Sequence, residues 1–427
     1  MALGNALLVL AAAVAVPLTP EVSPSTPPEL AEVLHSERFA KAQAALRNDH
    51  QWLVDQIIAL TEIPAPPFGE GQKGKAYADL MRQVGLKNVT IDGIGNVLGT
   101  RPGRDSTLPP LIVAAHLDTV FPAGTDVKVK RDGTRLMAPG IGDDTRGLVV
   151  LLAMAKAMDA AGIETKRDIV LIGNVGEEGQ GDLRGMRYLF KNNARARNAA
   201  AFITVDSSGA TAITTRGVGS HRYRIVFSGP GGHSYDKFGT VNPLVPLAKT
   251  VAGLYQIPVP ADPKTTYSAS VVGGGTSVNT IPHDVYLEID IRSTVPAEVE
   301  RIDKAVHEIA EQAVAEENAT RVTQAGEVSV TFNVIGDRPA GQTDENKGIG
   351  AIAYASSKAF GYGPRFAAYS TDANVPMSLG IPAVAIGSGG SGGGEHTLRE
   401  WIDVEVNESV RGISVDLATV LAMAGLQ

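Results

Sequence analysis

The sequence contains no cysteine. That excludes disulfides, thiolate metal sites and a cysteine nucleophile together, so any metal centre must be built from histidine and carboxylate. Histidine is itself scarce, at 8 residues. There is no excess of positive charge either: 46 acidic residues against 38 basic ones give a formal charge of -8, which argues against a nucleic-acid or anionic-membrane partner. The apolar run Ala6 to Val16 (ALLVLAAAVAV) is too short to span a bilayer as a helix of the mature protein, so no stable membrane insertion is expected. No internal repeat stands out.

What remains is the composition of an ordinary globular protein, 44% hydrophobic and 20% charged. A length of 427 residues suggests two domains rather than one core. The apolar run Ala6 to Val16 has the length of a signal-peptide core and closes on a small-residue Ala-Val-Ala sequence, although MALGN before it carries no Lys or Arg. Residues 1–20 are therefore predicted to be a signal peptide that exports the chain to the periplasm or beyond; without that role the chain would be cytoplasmic. The Pro-rich stretch that follows predicts a flexible tether over 21–35.

Apolar residues recur at helical spacing from about Ala31 to Leu60. Beyond them, LIVAAH (111–116), DIVLIGNV, AAFITVD and IPAVAIGS (381–388) are continuous apolar runs, the mark of strands covered on both faces. DTRGLVVLLAMAKAMDAAG reads as a helix ended by Gly162. From 216 to 335 the texture changes. SHRYRIVFSG and VYLEIDIRS alternate polar with apolar, as half-exposed antiparallel strands do, VSVTFNVIG closes the segment, and two amphipathic helices lie between. The expectation is an α/β domain over 36–215 and 336–427, a mostly parallel sheet flanked by helices, with a ferredoxin-like α+β domain inserted at 216–335.

Candidate ligands fall at the ends of those strands. His116 and Asp118 close LIVAA, Asp143 sits in the Gly-rich GIGDD, Glu177 and Glu178 follow DIVLIGNV, Asp206 ends AAFITV, and His396 lies in GGGEHT. Functional groups of open α/β sheets collect at the carboxyl ends of strands. Imidazole and carboxylate suit zinc, and two adjacent ions need a bridging carboxylate. Alternation along His116-Leu117-Asp118 puts both side chains on one face, where Asp118 can orient the imidazole. Of the adjacent glutamates, one is expected to bind metal and the other to accept a proton from water.

Blander readings exist for several of these residues. Asp143 and Asp144 suit a helix cap, Asp206 suits a turn, and Arg292 suits a surface ion pair. The run GSGGSGGGE (387–395) has the composition of a linker. His35, His50, His221, His283 and His307 fall outside the motifs and read as surface or packing residues.

Taken together, AHLDTV, GIGDDTRG, EEGQGDLRG, TVDSSG, GGHS, SVNTIP, DIRS, STDAN and EHTLRE resemble the di-zinc exopeptidases and amidohydrolases, a family that includes tripeptide aminopeptidase, glutamate carboxypeptidase, aminoacylase and succinyl-diaminopimelate desuccinylase. The resemblance covers the chain after about residue 45. It implies two zinc ions, with His116 and Asp206 on one, Glu178 and His396 on the other, and Asp143 bridging. It implies that Glu177 is the general base and that Asp118 orients His116. His233, in GGHS, would polarise the scissile carbonyl, in several relatives from the partner subunit of a dimer. Asn279 and Arg292 would contact substrate, and the inserted domain would be a lid or dimerisation domain.

The function expected is hydrolysis of an amide bond in small peptides, with deacylation of N-acyl amino acids as the alternative on the same metal site. A non-catalytic peptide-binding protein on this fold would be expected to show a damaged ligand or base, and none of those positions is damaged. A purely structural zinc site would be closed and would rarely carry an unligated acid beside its ligands. A homodimer fits the type of inserted domain.

Overall fold

The computed structural model describes residues 20–427, so the apolar run at Ala6 to Val16 lies outside the described residues. The continuous apolar runs form the centre of a nine-stranded sheet. Ile169–Asn174, Leu111–His116, Ala201–Val205 and Ala383–Ile386 lie side by side in that order, all parallel. Within Leu111–His116, Leu111, Val113 and Ala115 pack into one apolar cluster, with the helices Gly147–Ala160 and Val406–Ala424. Ile112 and Ala114 pack into another, with Met186, Leu189 and Phe190 of the helix Arg184–Asn192. Both faces of the strand are thus buried, each Val, Leu or Ile contributing roughly 1.5–3 kcal/mol.

The flanks of the sheet are antiparallel. Lys87–Ile91 and Val97–Arg101 form a hairpin at one side, and Ala212–Gly217 runs antiparallel to Ala383–Ile386 at the other, where Arg365–Tyr369 pairs with it in parallel. The sheet is therefore mixed, parallel at its centre and again between Arg365–Tyr369 and Ala212–Gly217. The apolar runs mark its parallel centre, and a largely exposed strand such as Lys87–Ile91 has no such run.

A second, four-stranded sheet holds Thr265–Gly274, Asp284–Ser293, Gly219–Ser228 and Ser329–Arg338 in that spatial order, all antiparallel. With the helices Leu244–Leu254 and Pro296–Thr320, the chain order is βαββαβ, the ferredoxin-like arrangement. Tyr223, Ile225, Phe227, Leu287, Ile289 and Ile291 pack under the helices through Leu247, Leu254, Ile302 and Val306.

One expectation is corrected. Residues 21–35 are not a flexible tether throughout, because Pro28–Leu34 is a helix with Leu30 and Val33 fully buried. Pro28 stands in its first turn, where a missing N–H costs nothing, and the apolar spacing of Leu30, Val33 and Leu34 docks the helix on Val406–Ala424.

Candidate metal centre

The parallel strands end on the same side, and their carboxyl ends deliver the acids and imidazoles to one place. His116 is the last residue of Leu111–His116, Glu177 and Glu178 lie just past Ile169–Asn174, and Asp206 directly follows Ala201–Val205. Asp143 lies in the irregular turn Ile141–Arg146 that opens the helix Gly147–Ala160, and the Asp143–Asp144 peptide bond is cis. Its two carboxylate oxygens are divided between the imidazoles: Oδ1 is 2.9 Å from His116 Nε2 and Oδ2 is 3.0 Å from His396 Nε2. His396 Nε2 also lies 3.0 Å from Glu178 Oε1.

Ligand atoms of His116, Asp143 and Asp206 lie within 4.8 Å of one another, and so do those of Asp143, Glu178 and His396. Asp143 belongs to both sets. His116, Glu177 and Glu178 form a third, overlapping set.

The electrostatics call for cations here. Asp143, Glu177 and Glu178 are buried together, and buried carboxylates are costly without positive partners. Burial, with Asp143 adding repulsion, pushes the Asp206 carboxyl up to about 7. Burial also pushes Glu177 well above the usual carboxylate range, against the pull of Arg338. His396, bonded to Asp143 and Glu178, is lifted to about 11. Burial opposes charge on His116, but its bond to Asp143 and the acids around it outweigh that and raise it well above 6.5. Two nitrogen donors and buried carboxylates at this spacing are a donor set for two divalent ions, zinc included.

Four supports hold the ligands in place. The Nδ1–H of His116 reaches the backbone carbonyl of Asp118 at 3.0 Å, which fixes the tautomer that leaves Nε2 facing Asp143. The Asp118 carboxylate stands 3.8 Å from that nitrogen and instead accepts the backbone N–H groups of Glu177 and Glu178, at 3.1 and 2.9 Å. Asp118 therefore steadies the glutamate pair as well as the imidazole, a broader part than its sequence position suggests. Asp144 accepts the backbone N–H of His116 at 3.0 Å. Gly147 is required behind it, since a Cβ there would fall 2.2 Å from Asp144 Oδ1.

Two residues that the sequence reading did not single out matter as much. Glu400, 1% exposed, accepts the backbone N–H groups of Gly140, Gly142 and Asp143 at 2.7, 2.7 and 2.9 Å and so fixes the turn that carries Asp143. Its only signal was its place in EHTLRE. Arg338, the last residue of Ser329–Arg338, brings Nη1 to 3.2 Å from Glu177 Oε1 and donates through Nη2 to the Glu177 carbonyl. Glu177 Oε2 has no hydrogen-bond partner among the described residues, and Glu177 lines a cavity of about 890 Å³ together with Asp143, Glu178, Asp206 and His396.

Arg292 lines the same cavity, bound to Asp290 at 2.7 Å. His233 and Asn279 do not line it. Both are exposed near a short ladder between Gly232–His233 and Thr280–Ile281. The resemblance sets His233 at a substrate from the partner subunit in several relatives, and the sequence alone cannot fix how the inserted domain is set against the sheet. The glycine run 387–395 is no loose linker: a Cβ on Gly389 would lie 2.6 Å from Gly412, and one on Gly390 2.6 Å from the Arg146 guanidinium.

Comparison with known proteins finds a family and a shared fold. The model of peptidase family M20/M25/M40 matches residues 112–422. The uncharacterized protein YqjE of Bacillus subtilis (strain 168) is 24% identical over 356 residues, 79% of this chain and 90% of its own length. The structure of aminopeptidase PepT from Bacillus cereus ATCC 10987 superposes with a TM-score of 0.70 at 22% identity, covering 87% of this chain and 99% of that one. The YXEP protein of Bacillus subtilis, described as a dinuclear metal binding peptidase, superposes with a TM-score of 0.64 at 17% identity, over 88% and 99% of the two chains. Both structures share the fold.

Proposed function

The chain belongs to peptidase family M20/M25/M40, and from that premise we propose that it hydrolyses amide bonds in small peptides at a two-zinc centre. The observation that carries the reading is the carboxylate of Asp143 set between His116 and His396, with Glu177 beside the ligand Glu178 but turned to Arg338.

His116 and Asp206 would hold one ion, Glu178 and His396 the other, with Asp143 shared. Ions held there would supply Lewis acidity, which lowers the pKa of water toward neutrality and polarises a carbonyl. Glu177 takes a proton from the attacking water at Oε2 and passes it to the leaving nitrogen. Its high proton affinity, set by burial against Arg338, suits a group that must accept that proton and release it. Arg292 holds a carboxylate of the substrate.

A second copy of the chain fits the inserted domain. Around His233 and Asn279 stand Tyr235 and Phe238, 85% and 88% exposed, and Val278, also fully exposed; Thr265–Gly274 is an edge strand. Exposed aromatics and an open strand edge favour pairing with another chain. His233 would then act on the substrate of the partner subunit. Sedimentation of the purified protein reads this directly, as a dimer mass that Phe238→Asp reduces to the monomer.

The function itself is tested with zinc-loaded protein on di- and tripeptides, N-acyl amino acids and C-terminally blocked peptides. Release of amino acids from short peptides is expected. Turnover of N-acyl amino acids alone would replace peptidase by deacylase.

A further inference from the structure

Four arginines line the cavity that holds the metal centre: Arg222, Arg292, Arg338 and Arg365. Three of them have carboxylate partners. Arg222 and Arg292 share Asp290, at 3.2 and 2.7 Å, and Arg338 lies on Glu177. The guanidinium of Arg365 has no hydrogen-bond or ion-pair partner among the described residues. Its backbone N–H is tied to the Thr211 carbonyl at 2.8 Å, which fixes its place at the start of Arg365–Tyr369.

The arginines stand on two different walls. Arg222 and Arg292 belong to Gly219–Ser228 and Asp284–Ser293 of the inserted domain. Arg365 belongs to the main sheet, where Thr211, Ala212, Thr214 and Tyr369 line the cavity with it. A guanidinium stays charged at every working pH, offers a planar fork of donors that matches a carboxylate, and repels an ammonium group. A cavity with an unpaired guanidinium on one wall, and one carboxylate shared by two guanidiniums on the other, is electropositive at both, in a chain whose net charge is -8.

We propose that Arg365 is a specificity-determining residue that receives a second anionic group of the substrate, so that the preferred substrates are small amides carrying two carboxylates. One carboxylate goes to Arg292 and Arg222, the other to Arg365. The inference rests on the hydrolytic reading above and narrows it: a free amino terminus would be repelled at the Arg365 wall, whereas an acidic side chain or a dicarboxylic acyl group would be held there.

The test compares an N-succinyl amino acid with its succinamoyl analogue, which has the same shape and lacks one charge, on the zinc-loaded protein. The succinyl compound is expected to have a kcat/KM about tenfold to a hundredfold higher, the range for a charge-assisted hydrogen bond. In Arg365→Gln that ratio falls to near one, with KM for the succinyl compound rising most; Arg365→Lys keeps part of it. Because both compounds are measured on the same variant, a folding defect lowers both and leaves the ratio. A wild-type ratio near one, or a ratio unchanged in Arg365→Gln, overturns the inference. Calorimetric binding of adipate against its monomethyl ester separates the two readings. If adipate binds better and Arg365→Gln abolishes the difference, the assignment of Arg365 stands even where no amide is cleaved, and only the hydrolytic reading falls. If the two bind wild-type protein alike, Arg365 is not an anion site, whatever the enzyme hydrolyses.

Discussion

Arg338, at the end of the inserted domain's last strand, lies on Glu177, just past the strand Ile169–Asn174 of the main sheet, Nη1 to Oε1 at 3.2 Å with both side chains buried. The residue with the strongest claim to move a proton is thus held from the other domain. Removing the guanidinium in Arg338→Met takes away the main influence that lowers the Glu177 pKa, so that pKa rises further. The acidic limb of the kcat/KM profile should move to higher pH, with the metal content unchanged. A limb that stays in place would show that Glu177 does not titrate in that profile.

Glu177→Gln tests the base itself. The amide keeps the shape and the hydrogen bond from Arg338 but cannot take a proton. Both metals should be retained while kcat falls roughly 10²- to 10⁴-fold, as read by metal analysis and steady-state kinetics on one sample. Near wild-type turnover would assign the proton to another group.

Glu400 is predicted to matter without touching substrate. Its carboxylate accepts three backbone N–H groups around Asp143, and Glu400→Gln places an amide N–H against at least one of them. A buried donor left without an acceptor costs about 1–3 kcal/mol, and loosening the supports of a ligand lowers metal affinity about 10- to 100-fold. Zinc titration against a chelating competitor and thermal unfolding measure the two effects. Unchanged affinity would leave Glu400 as scaffold only.

The fold was legible where side chains face one environment. Leu111–His116 and Ala201–Val205 are buried on both faces, so their runs of Val, Ile, Leu and Ala announce them, and residues such as His116 and Asp206 stand out because they end such runs. Lys87–Ile91 has no comparable signal, being mostly exposed. Arg338 and Glu400 act through partners far away in the chain, Glu177 and the backbone of Gly140 to Asp143, and an arginine or glutamate near a strand end looks like many others. The helix at Pro28–Leu34 was hidden by the prolines before it, which read as a tether although the last of them starts a helix.

Stability should depend on pH in the metal-free protein. Burial raises Asp206 from 3.8 to about 7, so the folded state holds this proton more tightly than the unfolded chain. The stabilisation is complete below about pH 4 and is lost as pH rises through about 7, a change of up to about 4 kcal/mol. Chelator-treated protein should therefore lose resistance to urea between those values, Asp206→Asn should lose less, and zinc should restore it. An identical pH slope in Asp206→Asn would contradict this assignment.

The most direct test of the central claim is the number of zinc ions bound per chain, in wild type and in Asp143→Ala. Two ions in the wild type and loss of both, or a large fall in affinity for both, in the variant is the predicted result. A single ion in the wild type, or two that persist undiminished in Asp143→Ala, would contradict a centre built around the carboxylate between His116 and His396.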